Sequence, residues 1–331
     1  GSLAGASTVD DASERHSDGQ VYGPGPRVPM YVVSPWSRGG WVNSQVFDHT
    51  SIIRFLEERF GVMEPNISAW RRAVCGNLMS AFNFDDPNNE ALPSLPSQTK
   101  AEADALRSAQ EQLDAVPIPT GSAGTLPKQA SGTRPSRALP YELHVGAATD
   151  ATRGAVRLSF ANSGAAGAVF HVYDRLHLGR IPRRYTVEAG KTLSDDWSAG
   201  LLDLYRYDLW VLGPNGFHRH LAGEVPALGG GDDAQPECEA CYDVAGGDLQ
   251  LKMSNRGSKA ATFTVTPNAY RTDGPWTYTV QPGQTQETFW ALRDSGRWYD
   301  LSVSADSNAR FLRRYAGRIE TGAHSVSDPA V

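Results

Sequence analysis

Two stretches decide the fold: Leu158-Ser159-Phe160-Ala161-Asn162-Ser163-Gly164 and Leu251-Lys252-Met253-Ser254-Asn255-Arg256-Gly257. They lie 93 positions apart, and the register persists downstream. Phe170 matches Phe263, Tyr185-Thr186-Val187-Glu188-Ala189-Gly190 matches Tyr278-Thr279-Val280-Gln281-Pro282-Gly283, and Trp197 matches Trp290. Tyr207-Asp208-Leu209 matches Tyr299-Asp300-Leu301 at an offset of 92, and Phe217 and Ala222-Gly223 match Phe311 and Ala316-Gly317 at 94. So steady an offset means two copies of one domain of about 90 residues, too long for a solenoid unit. Val156, Leu158 and Phe160 alternate with polar residues, as do Leu249, Leu251 and Met253, which is strand periodicity. Asn-x-Gly then supplies turn chemistry, and Glu-Ala-Gly or Gln-Pro-Gly marks a second turn. Strands recurring every 10–12 residues or so predict a β-sandwich in each copy, with Trp197 and Trp290 in the cores.

Upstream the pattern changes. Val28-Pro29-Met30-Tyr31-Val32-Val33-Ser34 reads as a short strand ended by Pro35. Ile52, Ile53, Leu56 and Phe60 fall on one helical face, opened by an Asp48 or Thr50 cap and closed by Gly61 in a left-handed C′ position. Strand, loop and helix give an α/β rhythm, but one strand and one or two helices cannot bury a core. Pro, Ser, Ala, Gln and Gly dominate from Pro93 to Arg137, with a short polar helix expected between Thr99 and Leu113.

The composition excludes several classes. The 331 residues carry a net charge of −6, which is unsuited to holding nucleic acid. No apolar run approaches the roughly 18 residues of a membrane span. Three cysteines are too few for a disulfide framework. Cys238-Glu-Ala-Cys241 lacks two further zinc ligands and precedes strand-like sequence, so it reads as a local disulfide or two thiols at a strand start. His218-Arg219-His220 puts two imidazoles on one strand face, with no third ligand at the matching Leu312 and Arg314, and reads as a solvated polar face. Asp195-Asp196 and Asp232-Asp233 lack calcium-loop spacing, and Gly23-Pro24-Gly25 is not a phosphate loop. Arg175, Arg183-Arg184 and Arg313-Arg314 add positive charge suited either to solvent or to lipid phosphate.

An ordered set of motifs carries a resemblance. Gly25-Pro26-Arg27-Val28-Pro29-Met30, Ser34-Pro35-Trp36-Ser37-Arg38-Gly39-Gly40-Trp41-Val42, Val46-Phe47-Asp48-His49-Thr50-Ser51 and Cys75-Gly76-Asn77 resemble the last part of the catalytic domain of bacterial phosphocholine-specific phospholipases C. Thr133-Arg134-Pro135-Ser136-Arg137-Ala138-Leu139-Pro140-Tyr141 resembles that family's entry into a pair of small C-terminal β-domains, which the two repeats fit. The resemblance implies a mainly β chain of four parts: 1–92, the residual α/β end of an alkaline-phosphatase-like phosphoesterase domain; 93–137, a linker; and 138–230 and 231–324, two tandem β-sandwiches. It implies a parent enzyme, secreted or periplasmic through twin-arginine export, that hydrolyses phosphatidylcholine, and also sphingomyelin, to a diglyceride or ceramide plus phosphocholine. The family's Glu-Asn metal motif, Ser or Thr nucleophile and acidic ligands have no counterpart in these residues. This stretch is therefore expected to be inactive alone and without cofactor, a divalent metal belonging to the parent's catalytic domain. Its expected partners are that catalytic domain and phospholipid head groups at a membrane surface. A second reading makes the chain a non-catalytic β-sandwich module that binds a lipid surface or a protein.

Four residues are site candidates. Asp48 and His49 read either as groups at the rim of a catalytic site or as a cap and first turn of the helix that follows. Trp36 and Trp41 flank a Ser-Arg-Gly-Gly loop; they read either as aromatic faces for a trimethylammonium group, worth about 0.5–2 kcal/mol per ring, or as packing for the loop.

Overall fold

A computed structural model describes residues 5–85, 91, 94–121, 124–125, 131–226 and 233–329. Asp232 and the Ser122-Ala123 part of the linker lie outside the described residues.

After the short strand β1 (Ala6–Ser7) come the helices α1 (Thr50–Phe60), α2 (Ala69–Val74) and α3 (Lys100–Glu111), then β2 (Pro135–Ser136). The first repeat holds β3 (Leu143–Asp150), β4 (Ala155–Asn162), β5 (Ala168–Asp174), β6 (Arg183–Val187), β7 (Lys191–Ser198), β8 (Arg206–Leu212) and β9 (His218–Glu224). The second holds β10 (Pro236–Asp243), β11 (Asp248–Asn255), β12 (Ala261–Ala269), β13 (Trp276–Val280), β14 (Thr285–Trp290), β15 (Trp298–Ala305) and β16 (Asn308–Arg318), followed by β17 (Ser325–Val326).

Each repeat is a sandwich with one wiring. A three-stranded sheet, β3-β4-β7 or β10-β11-β14, faces a four-stranded one, β6-β5-β8-β9 or β13-β12-β15-β16. Val156, Leu158 and Phe160 meet Phe170, Val172 and Tyr185 between the first pair of sheets; Leu249, Leu251 and Met253 meet Phe263, Val265 and Leu301 between the second. Burying each such side chain contributes about 1.5–3 kcal/mol. Trp197 and Trp290 are both buried in these cores.

The Asn-x-Gly turns show why the register repeats. Asn162 Nδ2 donates to Ala166 O (2.9 Å) and Val187 O (3.0 Å), and its Oδ1 accepts from Gly164 N (3.0 Å). Asn255 does the same with Lys259 O (2.6 Å), Val280 O (3.1 Å) and Gly257 N (3.0 Å). Both asparagines are 1% exposed, and one amide closes three backbone groups in the first sandwich and four in the second, where Asn255 Oδ1 also accepts from Gln235 N (3.1 Å). A Cβ on Gly164 would stand 2.4 Å from Pro140 O, and one on Gly257 would stand 2.1 Å from Asp233 O.

The two four-stranded sheets join edge to edge. β9 pairs antiparallel with β16, making one nine-stranded sheet in the order β1-β6-β5-β8-β9-β16-β15-β12-β13. Leu312 pairs with Ala222, Arg314 with His220 and Ala316 with His218. Under the offset of 94 this register maps onto itself, so the seam has a local twofold axis through His220 and Arg314.

The N-terminal segment is helical in part. α1 ends as expected, with Gly61 left-handed at φ 66° and its N–H bonded to Glu57 O. α3 carries a capping box between Thr99 and Glu102. The expected strand at Val28–Ser34 does not form: these residues run without a ladder partner, and Tyr31 and Val33 are 87% and 95% exposed. A lone extended run has no neighbour to satisfy its backbone, so its apolar pattern alone does not make a strand. The apolar face of α1 is likewise open at Ile52, Ile53, Leu56 and Phe60.

Candidate functional site

The N-terminal segment is fixed to the first sandwich by a third small core. Val9, Trp70, Val74 and Cys75 pack on Val169, on the outer face of β5. Trp70 Nε1 donates to Thr186 Oγ1 (3.0 Å), Val46 N donates to Tyr141 Oη (3.0 Å), and β1 adds to the edge of β6 in parallel. The catalytic-domain-like residues are thereby held in a fixed relation to the β-domains.

Asp48 and His49 sit in this segment, at the start of α1. His49 has helical dihedrals (φ −61°, ψ −28°) and makes no side-chain cap bond, so the cap of α1 is Asp48, as one of the two readings expected. The Asp48 carboxylate accepts from Thr50 N (2.8 Å) and Thr50 Oγ1 (2.6 Å), satisfying a free N–H of the first turn. Its other oxygen pairs with Arg71 (2.5 Å), and Arg71 also holds Glu14 (2.9 Å). Burial opposes ionisation of Asp48, but the Thr50 and Arg71 hydrogen bonds outweigh it and keep the carboxyl below its ordinary range. His49 is exposed. Asp48 is thus a structural acceptor that ties α1 to α2. No group of three or more His, Cys, Asp or Glu arranged to hold a metal occurs among the described residues, so these side chains do not fit a divalent ion. The nearby Cys75 thiol is pushed up to about 12 by burial, which removes it as a nucleophile.

Trp36 and Trp41 are not brought together. Trp36 is 41% exposed and ends an aromatic row, its ring 5.7 Å from Phe84, with Phe82 and then Phe55 of α1 behind. Trp41 packs against Arg137, whose guanidinium lies 4.2 Å over the ring, and against His324 at 4.9 Å. One face of Trp41 is therefore already taken by a cation of the chain itself. In the same N-terminal segment Tyr31, Val33, Leu56 and Phe60 are exposed as well.

The seam is the strongest electrostatic feature, and the reading of His218-Arg219-His220 as a solvated face is corrected there. Arg219 and Arg313 are each 1% exposed. Arg313 donates to both oxygens of Glu237 (2.6 and 2.8 Å), to Tyr207 Oη (2.8 Å) and to Ala222 O (2.8 Å). Arg219 makes the mirrored bonds to Tyr299 Oη (3.0 Å) and Ala316 O (3.0 Å), and bonds Tyr242 as well. The guanidiniums stack on Phe217 (4.0 Å) and Phe311 (4.6 Å). Each arginine of one sandwich thus reaches a tyrosine of the other. On the opposite face His220 meets Asp208 (2.6 Å), and the equivalent Arg314 meets Asp300 (2.5 Å). His218 is drawn down to about 4, first by burial and then by Arg314. The matched offset of Arg219 and Arg313 was the sequence signal for this seam.

Cys238 and Cys241 are free thiols within β10, not a disulfide, and burial raises both pKa values. Asp195 and Asp196 serve Arg183, Arg157 and Arg153 in ion pairs.

Comparison with known proteins fits this geometry. Residues 135–224 and 236–318 each match the bacterial phospholipase C C-terminal domain, and residues 3–63 match the phosphoesterase family. The chain is 49% identical over 338 residues to the non-hemolytic phospholipase C of Pseudomonas aeruginosa, covering 100% of this chain and 48% of that protein. It is 49% identical over 337 residues to the non-hemolytic phospholipase C of Burkholderia pseudomallei, covering 99% and 47%. It is 42% identical over 353 residues to the hemolytic phospholipase C of Pseudomonas aeruginosa, covering 98% and 47%. The chain spans about half the length of these curated relatives. With two tandem copies of the C-terminal domain behind a stretch of phosphoesterase sequence, the chain belongs to the bacterial phospholipase C family.

Proposed function

We propose that the chain is the C-terminal part of an exported phospholipase C that hydrolyses phosphatidylcholine, and also sphingomyelin, to a diglyceride or ceramide and phosphocholine. One observation carries this: the phosphoesterase match and the two C-terminal-domain matches follow one another in a single chain, and the matched segments are joined, β1 to β6, Val9 to Val169 through the core of Trp70, and β9 to β16. The nucleophile and any divalent ion belong, on this reading, to the part of the phosphoesterase domain outside these residues. The exposed apolar side chains Tyr31, Val33, Ile52 and Phe60 would be covered by that part, which the Val28–Ser34 run and α1 lack here. Trp36 is the better placed of the two indoles to meet a choline group, because its ring remains accessible.

The test compares the full-length enzyme with the 331-residue chain on phosphatidylcholine and sphingomyelin vesicles, following water-soluble phosphorus by ³¹P NMR. Phosphocholine release by the full-length enzyme alone is expected. Release of free choline with phosphatidate, or no turnover by the full-length enzyme, would overturn the reading. Turnover by the short chain that is lost on Asp48→Ala or His49→Ala would move the catalytic site into these residues.

A further inference from the structure

Five arginines are buried among the described residues, and four of them have partners for their side chains. Arg313 holds Glu237, Arg183 holds Asp195, Arg318 holds Glu320, and Arg219 bonds Tyr242, Tyr299 and Ala316 O. Arg137 differs. It is 3% exposed, yet its Nε and Nη2 have no hydrogen-bond acceptor among the described residues. Burial holds it below the ordinary arginine range, and no anion acts against that burial. A buried cation without a partner is costly, so the fold has left room in its chemistry for one.

The unused atoms have a shape. Nε and Nη2 lie on one edge of the guanidinium and form the parallel fork that grips two oxygens of an oxyanion. Arg137 lies over the Trp41 ring at 4.2 Å, which engages the flat face of the guanidinium and leaves that edge unused. Trp41 Nε1 is a third buried N–H without an acceptor. The backbone fixes this pair in place: Val42 N donates to Pro135 O (2.8 Å) and Arg137 N to Val42 O (2.9 Å). The C-terminal segment closes on the same spot, where Ala138 N donates to His324 Nδ1 (3.0 Å) and the His324 ring stands 4.9 Å from Trp41. Burial, and then the charge of Arg137, push His324 below its ordinary range, so the guanidinium field reaches it without an anion to offset it.

We infer that Arg137 and Trp41 form an oxyanion site that takes a phosphate group, either free or on a small phosphomonoester. The donor set selects phosphate over carboxylate: the fork uses two oxygens and the indole N–H calls for a third, which a carboxylate does not have. The small opening selects a compact ligand over the diester of an assembled bilayer. The site joins a residue of the phosphoesterase match, Trp41, to one of the C-terminal-domain match, Arg137. Its occupancy requires no hydrolysis and does not rest on the proposed function.

The experiment titrates the ¹⁵N-labelled 331-residue chain with inorganic phosphate, phosphocholine and acetate, following the Trp41 indole N–H and the Arg137 Nε–H by NMR. Saturable shifts of both signals with the phosphate-bearing ligands are expected, and weaker binding of acetate. Arg137→Gln should weaken phosphate binding on the order of ten-fold or more, and Arg137→Lys, which keeps the charge and loses the fork, should weaken it as well. Arg137→Gln removes an unpartnered buried charge, so without phosphate its thermal midpoint should equal or exceed that of the unmodified chain; phosphate should raise the midpoint of the unmodified chain only. Trp41→Phe keeps a ring under Arg137 and removes only the indole donor; it should weaken phosphate and leave acetate unchanged, which provides a second test should Arg137→Gln not fold. Tighter binding of inorganic phosphate or of phosphocholine supports the site in either case and names the source of the phosphate. No saturable shift, or a shift that persists in Arg137→Gln, would overturn the inference. So would acetate binding as tightly as phosphate, which would assign the fork to a protein carboxylate.

Discussion

The two sandwiches share their wiring and differ where each meets something outside itself. The buried amides Asn162 and Asn255 share a three-bond closure, to which Asn255 adds a fourth bond from Gln235 N, and Arg219 and Arg313 cross the seam in mirrored fashion. The free edge of β6 is capped by β1, whereas the equivalent β13 ends the nine-stranded sheet. Glu237 neutralises Arg313, but the position equivalent to Glu237 in the first copy is His144, and Arg219 has tyrosine hydroxyls instead. The lesson is that a duplicated domain keeps the residues that solve its own packing problem and diverges where the copies face different neighbours.

The seam gives the sharpest way to break this comparison. Arg313→Ala orphans the largely buried Glu237 and should cost about 3–5 kcal/mol in chemical denaturation of the whole chain. Arg219→Ala orphans no carboxylate, because Tyr242 and Tyr299 can still bond one another at 3.1 Å, and should cost about 1–3 kcal/mol. Equal losses would mean that the missing carboxylate does not matter. Combining Arg313→Ala with Glu237→Gln should recover part of the larger loss.

Asn162→Ala should cost about 2–3 kcal/mol through the loss of three backbone bonds, and Asn255→Ala at least as much, since it also frees Gln235 N. A smaller loss at Asn255 than at Asn162 would show that the two turns are equivalent in shape only. Gly164→Ala and Gly257→Ala should be slightly milder, about 1–3 kcal/mol, because the backbone must shift to admit the methyl group.

The smallest expected effect is a pH dependence confined to one copy. His218 titrates near 4 in the folded chain against 6.5 as its ordinary value. The unfolded chain therefore binds the extra proton between those values, so the contribution is present above 6.5 and is lost as pH falls toward 4. Replacing His218 with Gln should flatten the stability profile in that window by about 1–2 kcal/mol. An unchanged profile would assign the acid sensitivity to other groups. Leu312, the matching residue in the second copy, has no proton to exchange.

Much of the fold was legible because the signals were local and occurred twice. The Asn-x-Gly turns, the alternation around Leu158 and Leu251, and Gly61 as a left-handed stop all act within a few residues of themselves. The strand expected at Val28–Ser34 failed because its apolar pattern states what the segment wants and not whether a neighbour exists to provide it. Asp48 was singled out on its chemistry, but whether it serves a site or a helix depends on Arg71, which lies 23 residues on.

The sequence by itself determined that there are two copies of one β-domain, where their turns fall, and that a different kind of segment precedes them, because repetition and turn chemistry are written in neighbouring residues. Only the tertiary structure decided that β9 and β16 pair and that two arginines are buried between the copies. Those outcomes depend on groups far apart in the chain: Arg219 meets Tyr299 across 80 residues and Arg313 meets Tyr207 across 106. A strand edge looks the same in sequence whether it ends a sheet or joins two. An arginine or a leucine is read as solvated or buried by average tendency until the fold fixes what surrounds it.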